Sequence, residues 1–137
     1  MKKIAITMAA VMILLIAWPQ TSTPLKAARE RGKKVYDTYC LSCHMQDGNG
    51  VPRMNPPLVK AKYVLGDKQK LIMIVLKGSD AGIDWGGEVN YKNVMAAHDF
   101  LKDQEIADVL TFVRNSFGNK ASIVTVANVK AVRVKVR

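Results

Sequence analysis

The segment Cys40-Leu41-Ser42-Cys43-His44 constrains this chain more than any other part of its sequence. It contains both cysteines of the 137 residues, and a histidine follows the second cysteine directly. A disulfide between residues only three apart would close a very small loop, which restricts the unfolded chain little. The pair therefore points to chemistry rather than to a structural crosslink.

The N-terminus predicts export from the cytoplasm. Lys2 and Lys3 precede an apolar run of fifteen residues, 4–18, and a polar stretch with two prolines, 19–24, follows. This order is typical of a secretory signal, and the run is short for a membrane-spanning helix, which needs about 20 residues. We predict a signal peptide over residues 1–27, or an uncleaved anchor as the alternative, and a periplasmic location.

Three chemistries use closely spaced thiols, and the context of the motif distinguishes them. Thiol exchange expects Cys-x-x-Cys between a strand and a helix, whereas this pair precedes a loop rich in Gly and Pro at 46–57. A zinc ion needs four ligands, and Cys40, Cys43 and His44 with distant His98 form an awkward set. Covalent haem uses every feature, because two thiols join two vinyl groups and the following imidazole binds iron. The motif predicts one haem c attached at Cys40 and Cys43, with His44 as an iron ligand.

The second axial ligand must come from elsewhere in the chain. Five side chains have suitable chemistry: Met45, Met54, Met73, Met95 and His98. Met45 is adjacent to the motif histidine and cannot reach the opposite face of the haem, and core packing explains Met73 within an apolar helix. Met54, in the proline loop, and Met95, 51 residues after the motif at the end of a glycine-rich loop, stay open together with His98.

Helical patterns dominate the rest of the sequence and predict a small all-α domain. One helix is expected over residues 28–39, and another over 68–77, with Asp67 as its N-cap and Gly78 after its end. A third helix has an apolar stripe at helical spacing, formed by Ile106, Val109, Leu110, Val113 and Phe117. Gly118 is predicted to stop it.

The C-terminal tail carries five basic residues and no acidic residue from Gly118 onward. Thr125 can cap a short helix that includes Val126, Val129 and Val132, and alternation of valine with basic residues after Ala131 is the competing pattern of an edge strand. We favour the short helix, followed by a frayed basic end. A disordered, solvated tail is the alternative.

An ordered set of short motifs resembles one protein family over roughly residues 29–119. These segments are Cys40–His44, Gly48–Pro52, Pro56–Leu58, Asn93–Met95 and Leu101–Arg114. In this order they are similar to a bacterial monohaem class I cytochrome c. The set is far more specific than the haem motif alone.

The resemblance implies an all-α cytochrome c fold, in which the N- and C-terminal helices cross over a covalently bound haem. Gly32 and Phe112 match the small and aromatic positions at that crossing. The resemblance also implies His44 and Met95 as the axial ligands of the iron, and one-electron transfer rather than enzymatic catalysis as the activity. Four apolar residues are expected to line the pocket: Leu58, Ile72, Val75 and Leu110. Trp85 and Tyr91 are candidates to bond a haem propionate or, more simply, to fill the pocket wall.

Two departures from the family pattern affect the predicted site. Ala96 follows Met95, where the family usually has a proline that stiffens the loop, so the iron–sulfur bond is expected to be more labile. This feature supports an alternative function, a haem-based sensor or small-ligand-binding protein. Lys102 occupies the position of the usual Ser or Thr cap of the last helix, a loss that typically costs about 1 kcal/mol.

The charge of the chain bears on its partners. The formal net charge is +10; without Lys2, Lys3 and Lys26 the 21 basic residues fall by three to 18, against 11 acidic residues, which leaves +7. Such an excess steers acidic partners, and no motif supports nucleic-acid binding. Six lysines are candidates for a basic rim around the haem edge: Lys60, Lys62, Lys68, Lys70, Lys77 and Lys92. We expect a monomer that docks on acidic surfaces of a copper enzyme, a dehydrogenase or a terminal oxidase, and that touches a membrane only if its N-terminus is uncleaved.

The predicted organisation is therefore simple. Residues 1–27 form the signal peptide, residues 28–119 form one cytochrome c domain, and residues 120–137 form a basic C-terminal extension. A domain of about 100 residues buries only a modest core, so a large apolar cofactor inside it would add to its stability.

Overall fold

The computed structural model describes residues 23–82 and 91–136, and the apolar run of the predicted signal and Trp85 lie outside them. Within the described residues the helices are α1 Pro24–Tyr39, α2 Leu41–His44, α3 Lys62–Leu65, α4 Lys68–Lys77, a 3-10 helix Gly78–Ala81, α5 Asp103–Arg114 and α6 Val126–Val136. An isolated bridge pairs Val51 with Asn55, and the described residues contain no strand. The all-α prediction is confirmed. No helix in this part of the chain combines the length and the apolar character needed to span a bilayer.

Helix α1 begins at Pro24, four residues before the predicted start. The hydroxyl of Thr23 accepts a hydrogen bond from the Lys26 amide at 3.3 Å, and proline suits the first turn because its missing N–H is not needed there. The helix therefore extends into the segment predicted to be cleaved. The boundary between signal and domain stays a prediction.

The first and fifth helices cross at Gly32, as the resemblance implied. A Cβ atom at Gly32 would overlap the backbone carbonyl of Asp108 and lie 2.9 Å from Cβ of Phe112. Only glycine therefore allows the two backbones to approach this closely. Beside the contact, Arg31 donates two hydrogen bonds of 2.7 and 2.8 Å to the Asp108 carboxylate, whose side chain is buried. The crossing combines close packing with a bidentate ion pair.

Helix α4 has the predicted ends. One carboxylate oxygen of Asp67 accepts hydrogen bonds from the amides of Gln69 and Lys70 at 2.6 and 3.1 Å, which satisfies two donors of the first turn. Gly78 follows the last residue with a φ of 60°. Ile72 on this helix is completely buried, so α4 forms a central part of the core.

Helix α5 ends earlier than predicted. It stops at Arg114, so the expected stop at Gly118 and the placement of Phe117 on its apolar face were wrong. The Asn115 side-chain amide donates to the Thr111 carbonyl at 3.0 Å, which satisfies an acceptor of the last turn. At the other end Lys102 provides no side-chain cap.

Two local contacts compensate for these irregular ends. The Glu105 carboxylate accepts a 2.8 Å hydrogen bond from the Lys102 amide, which replaces part of the missing cap. Phe117 leaves the helix and packs its ring 5.5 Å from Tyr36 and 5.7 Å from Phe112. This aromatic cluster lies directly beside the crossing of α1 and α5.

The C-terminal extension is folded. Thr125 and Asn128 cap α6 reciprocally, with hydrogen bonds of 3.0 and 3.2 Å between each backbone amide and the other side chain. Val129 and Val132 are buried, and α6 packs against α4 and α5. The predicted helix is confirmed, but its frayed basic end was wrong, since the helix continues to Val136. The alternative of a disordered tail was also wrong.

Candidate haem-binding site

The cysteine motif forms one tight turn at the end of α1. The Cys40 amide donates to the Tyr36 carbonyl at 2.9 Å and so completes the helix. The Cys40 carbonyl then accepts from the amides of Cys43 and His44 at 3.2 and 2.9 Å, which starts α2. Three backbone hydrogen bonds thus fix the turn that carries both thiols and the imidazole, and this turn continues directly from α1.

The two thiols are free of a disulfide, with Cys43 exposed and Cys40 half-buried. Burial, with a smaller effect of Cys43, raises the pKa of Cys40 to about 11. A thiol-exchange site lowers the pKa of its attacking cysteine instead, so this environment does not suit that chemistry. Across the described residues, no three His, Cys, Asp or Glu side chains are grouped in a way that would hold a metal ion by themselves.

His44 is oriented for coordination through one ring nitrogen. Its Nδ1 lies 3.1 Å from the Pro56 carbonyl oxygen, which can only accept, so Nδ1 carries the proton and Nε2 keeps its lone pair. Burial lowers the pKa of His44, the bond to Pro56 opposes that shift, and nearby His98 adds to it. A neutral imidazole with a free Nε2 is the form that binds a metal.

The loop after the motif is fixed from two sides. The Tyr36 hydroxyl donates a 2.7 Å hydrogen bond to the Met45 carbonyl, and the Gly50 amide donates to the His44 carbonyl at 3.1 Å. Tyr36 is almost fully buried, and this burial raises its pKa. The histidine is therefore held by α1 on one side and by the proline loop on the other.

Met95 is partly buried and its backbone is paired with the residue that follows Gly78. The Met95 amide donates to the Ser79 hydroxyl at 2.8 Å, and the Ser79 amide donates to the Met95 carbonyl at 3.0 Å. A Cβ atom on Gly78 would overlap the Met95 and Ala96 backbone, so this close approach requires glycine. Sequence reasoning used Gly78 only as a helix end and missed its contact with Met95. The glycine itself was the available signal, because glycine permits a positive φ and a close approach of another backbone segment.

The other candidate ligands have different surroundings. Met45 and Met54 are exposed, and Met73 packs against the core, as its helical position predicted. The amide of His98 donates to the Val75 carbonyl at 2.9 Å. The imidazole of His98 packs near two aromatic side chains, Tyr39 and Phe100.

The donors of this region fit a haem. Nδ1 of His98 is buried without a hydrogen-bond partner. His98 is also close enough to His44 to lower the pKa of His44. Buried polar atoms normally have partners, so this orphan indicates a place where a bound group belongs. The free thiols of Cys40 and Cys43 supply the chemistry of covalent attachment, and the neutral imidazole of His44 supplies an iron ligand. Among the predicted lining residues, Ile72 and Leu110 lie in the buried core, and Leu58 and Val75 are partly buried against it.

Comparison with known families agrees with this donor set. The family model described as cytochrome c matches residues 29–117. The chain belongs to the cytochrome c family. It is 34% identical over 122 residues to cytochrome c-552 of Thermus thermophilus, and the match covers 81% of this chain and 80% of that protein.

A second group of relatives consists of parts of larger proteins. The chain is 34% identical over 90 residues to the cytochrome c subunit of a quinone alcohol dehydrogenase from Gluconobacter oxydans. It is 33% identical over 108 residues to the cytochrome c subunit of gluconate 2-dehydrogenase from Pantoea cypripedii. These matches cover only 19% and 24% of the subunits' own lengths, so the chain corresponds to a fraction of each.

Family membership confirms the cytochrome c fold and the cofactor. This cytochrome c carries covalently bound haem c with its iron, and its activity is electron transfer. Its relatives are electron carriers rather than enzymes in their own right, although some are subunits of dehydrogenases.

Proposed function

We propose that this cytochrome c is a periplasmic one-electron carrier with histidine–methionine ligation of its haem iron. Thioethers from Cys40 and Cys43 attach the haem, and Nε2 of His44 and the sulfur of Met95 are the axial ligands. The observation that carries the proposal is the hydrogen bond of 3.1 Å from Nδ1 of His44 to the Pro56 carbonyl. It leaves Nε2 as the coordinating atom and resists rotation of the ring.

The assignment of Met95 rests on how its segment is held. Met45 and Met54 are exposed, whereas Met95 is partly buried and its backbone has two hydrogen bonds to Ser79. These bonds provide some of the stiffness that a proline after Met95 would give. Thioether ligation also suits an electron carrier, because it favours the ferrous state and raises the reduction potential.

The chain's own residues explain how transfer can be fast. Haem supplies the ferric/ferrous couple. Buried Ile72 and Leu110 exclude water from the interior, and paired backbone segments hold the proposed ligands in place. Two fixed ligands keep the coordination similar in both oxidation states, so little rearrangement accompanies each electron.

We infer that the partner is a redox protein with an acidic surface. A dehydrogenase is supported by the names of several relatives, and a copper enzyme or a terminal oxidase is also consistent with a basic carrier. The candidate rim lysines Lys60, Lys62, Lys70, Lys77 and Lys92 are exposed, while Lys68 is partly covered. Attraction by such a rim weakens as salt increases. We further propose that residues 1–27 are the signal, residues 28–119 the haem domain and residues 120–137 an extension of it.

The decisive experiment compares the ferric absorption spectra of the mature protein and its Met95→Ala variant at neutral pH. Methionine sulfur bound to ferric iron gives a weak band in the red. We expect the band in the wild-type protein and its loss in Met95→Ala. Met54→Ala is the matched control, because it removes a methionine that is exposed, and it should keep the band.

The same samples separate the carrier from the alternative function. A closed carrier should not bind carbon monoxide in its ferrous form, whereas Met95→Ala should bind it. Binding by the untreated wild-type protein, with a high-spin ferric spectrum, would instead support a haem-based sensor or small-ligand-binding protein. Ala96 supports this second function, because the usual proline after the methionine is absent and the iron–sulfur bond is expected to be more labile.

A further inference from the structure

The C-terminal helix α6 is attached to the haem domain through a buried apolar seam. Val129 and Val132 are 0% and 1% exposed, and α6 packs against both α4 and α5. This helix, Val126–Val136, follows the residues that the family model matches, which end at residue 117. A firm attachment allows side chains of α6 to act on neighbouring parts of the domain.

One of those side chains, Arg133, holds a single short segment with three nitrogens. Its Nε donates to the Asp103 carboxylate at 2.7 Å. One terminal nitrogen donates to the Asp99 carbonyl at 2.7 Å, and the other donates to the Leu101 carbonyl at 2.6 Å. The Arg133 side chain is only 16% exposed, so these charge-assisted bonds are partly shielded from water.

The segment held by Arg133 lies between Met95 and helix α5. Asp99 is four residues after Met95, and Asp103 is the first residue of α5. Leu101 within the segment is buried, and its amide donates to the His98 carbonyl at 3.2 Å. The chain is therefore restrained from Asp99 up to the start of α5.

The restraint works together with the pairing on the other side of Met95. Ser79, directly after α4 and Gly78, bonds the Met95 backbone, and Arg133 fixes the far end of the stretch. Helix α6 packs on α4 itself, so both restraints are tied to the same two packed helices. Three sets of hydrogen bonds oppose outward opening of the Met95 segment: those to Ser79, the bond from the His98 amide to the Val75 carbonyl, and those of Arg133 at its far end.

We propose that Arg133 is a positioning residue for the sixth iron ligand. It holds Asp99–Asp103, limits opening of the Met95 segment and thereby keeps external ligands away from the iron. The proposal rests on Met95 being that ligand, as proposed above. It gives the basic extension a role in the haem site, in which one specific guanidinium rather than overall positive charge is required.

The test uses the full-length haem-loaded protein and three variants: Arg133→Gln, Arg133→Lys and Lys130→Gln. Lys130 is exposed on the same helix and serves as the matched control. Binding of imidazole to the ferric protein is measured by titration, and the red methionine–iron band is followed in the same samples. We expect imidazole to bind about tenfold more tightly to Arg133→Gln, because hydrogen bonds of a charged group contribute at least that factor. Lys130→Gln should match the wild-type protein.

Arg133→Lys distinguishes shape from charge. Lysine keeps the positive charge but lacks the planar fork, so we expect its imidazole affinity to approach that of Arg133→Gln. Equal imidazole affinities for Arg133→Gln and Lys130→Gln would overturn the proposal. A lower melting temperature for Arg133→Gln without tighter imidazole binding would also overturn it, because Arg133 would then be merely structural.

Amide hydrogen exchange separates a failure of this proposal from a failure of the ligand assignment. If the wild-type protein lacks the methionine–iron band, the assignment of Met95 fails, and with it the proposed effect on the iron. Exchange at the Leu101 amide still reports the hold on the segment. Faster exchange there in Arg133→Gln, with no change in Lys130→Gln, supports the hold; equal rates overturn it.

Discussion

The two segments that carry the proposed iron ligands are held by hydrogen bonds that span different numbers of residues. The His44 ring is hydrogen-bonded to the carbonyl of Pro56, 12 residues away. The carbonyl of Met45, the residue after His44, accepts a hydrogen bond from the Tyr36 hydroxyl, nine residues away. Around Met95 the hydrogen bonds come from Ser79, 16 residues away, and from Arg133, which reaches back 34 residues to Asp99. The hydrogen bonds of the histidine side thus span fewer residues, while α1, which precedes it, packs on α5 at the Gly32 crossing.

This difference has a physical consequence. Loop-closure entropy grows only slowly with loop length, so the packing of each segment matters more than its range. The histidine segment continues from α1, which packs on α5, whereas hydrogen bonds with Ser79 and Arg133 hold the Met95 segment. We therefore expect disturbance of the histidine side to affect haem attachment and global stability. Disturbance of the methionine side should instead change the sixth ligand while the domain stays folded, since local openings need less free energy than global unfolding.

The largest expected effect comes from removing the attachment points. The double variant Cys40→Ser/Cys43→Ser should carry no covalent haem, because serine cannot form the thioethers. Intact mass after export and a haem stain on a denaturing gel measure this directly, and the mass also reveals where the N-terminus is cut. Covalent haem in the double variant would show that Cys40 and Cys43 are not the attachment points.

A smaller but global effect is expected at the crossing of α1 and α5. Gly32→Ala should destabilise the protein by about 2 kcal/mol, because its new Cβ overlaps the Asp108 carbonyl. In a free helix the same change would stabilise by about 1 kcal/mol, so even the sign is informative.

Denaturant unfolding of the haem-loaded protein, followed by circular dichroism, gives the free energy for Gly32→Ala. Lys34→Ala on the exposed side of α1 is the control and should stay near wild type. If Gly32→Ala is at least as stable as Lys34→Ala, the conclusion that the α1–α5 crossing requires glycine is wrong. Support of the histidine side by that crossing would then have no basis.

The smallest effect is expected at Ser79, on the methionine side. Ser79→Ala removes the hydroxyl that accepts from the Met95 amide at 2.8 Å, a bond worth about 1 kcal/mol. Imidazole should bind about fivefold more tightly to the ferric variant, with little change in the free energy of unfolding. Ser79→Thr retains the hydroxyl and should behave like wild type. Loss of global stability in Ser79→Ala without tighter imidazole binding would contradict the division between the two sides.

Helix ends that depend on neighbouring residues were predicted well, and those that depend on packing were not. Asp67 and Gly78 flank α4 as expected because their preferences act within one turn. The stop at Gly118 was wrong by three residues, because the helix ends at Arg114 and Phe117 packs on Tyr36 and Phe112 instead. The pattern of apolar residues alone does not distinguish these two uses of Phe117.

The sequence by itself determined the cofactor, the family and the all-α fold. The spacing of Cys40, Cys43 and His44 encodes haem chemistry within five residues, and apolar periodicity encodes helices over one or two turns, so both can be recognised without coordinates. Only the tertiary structure revealed that Ser79 pairs with Met95 and that Arg133 holds the segment beyond it. Those contacts join residues up to 34 positions apart, and a hydrogen bond between distant residues leaves no periodic mark in the sequence. The tail looked like a basic extension because its charge was visible, while the burial of Val129 and Val132 depended on the surface that the folded domain presents to them.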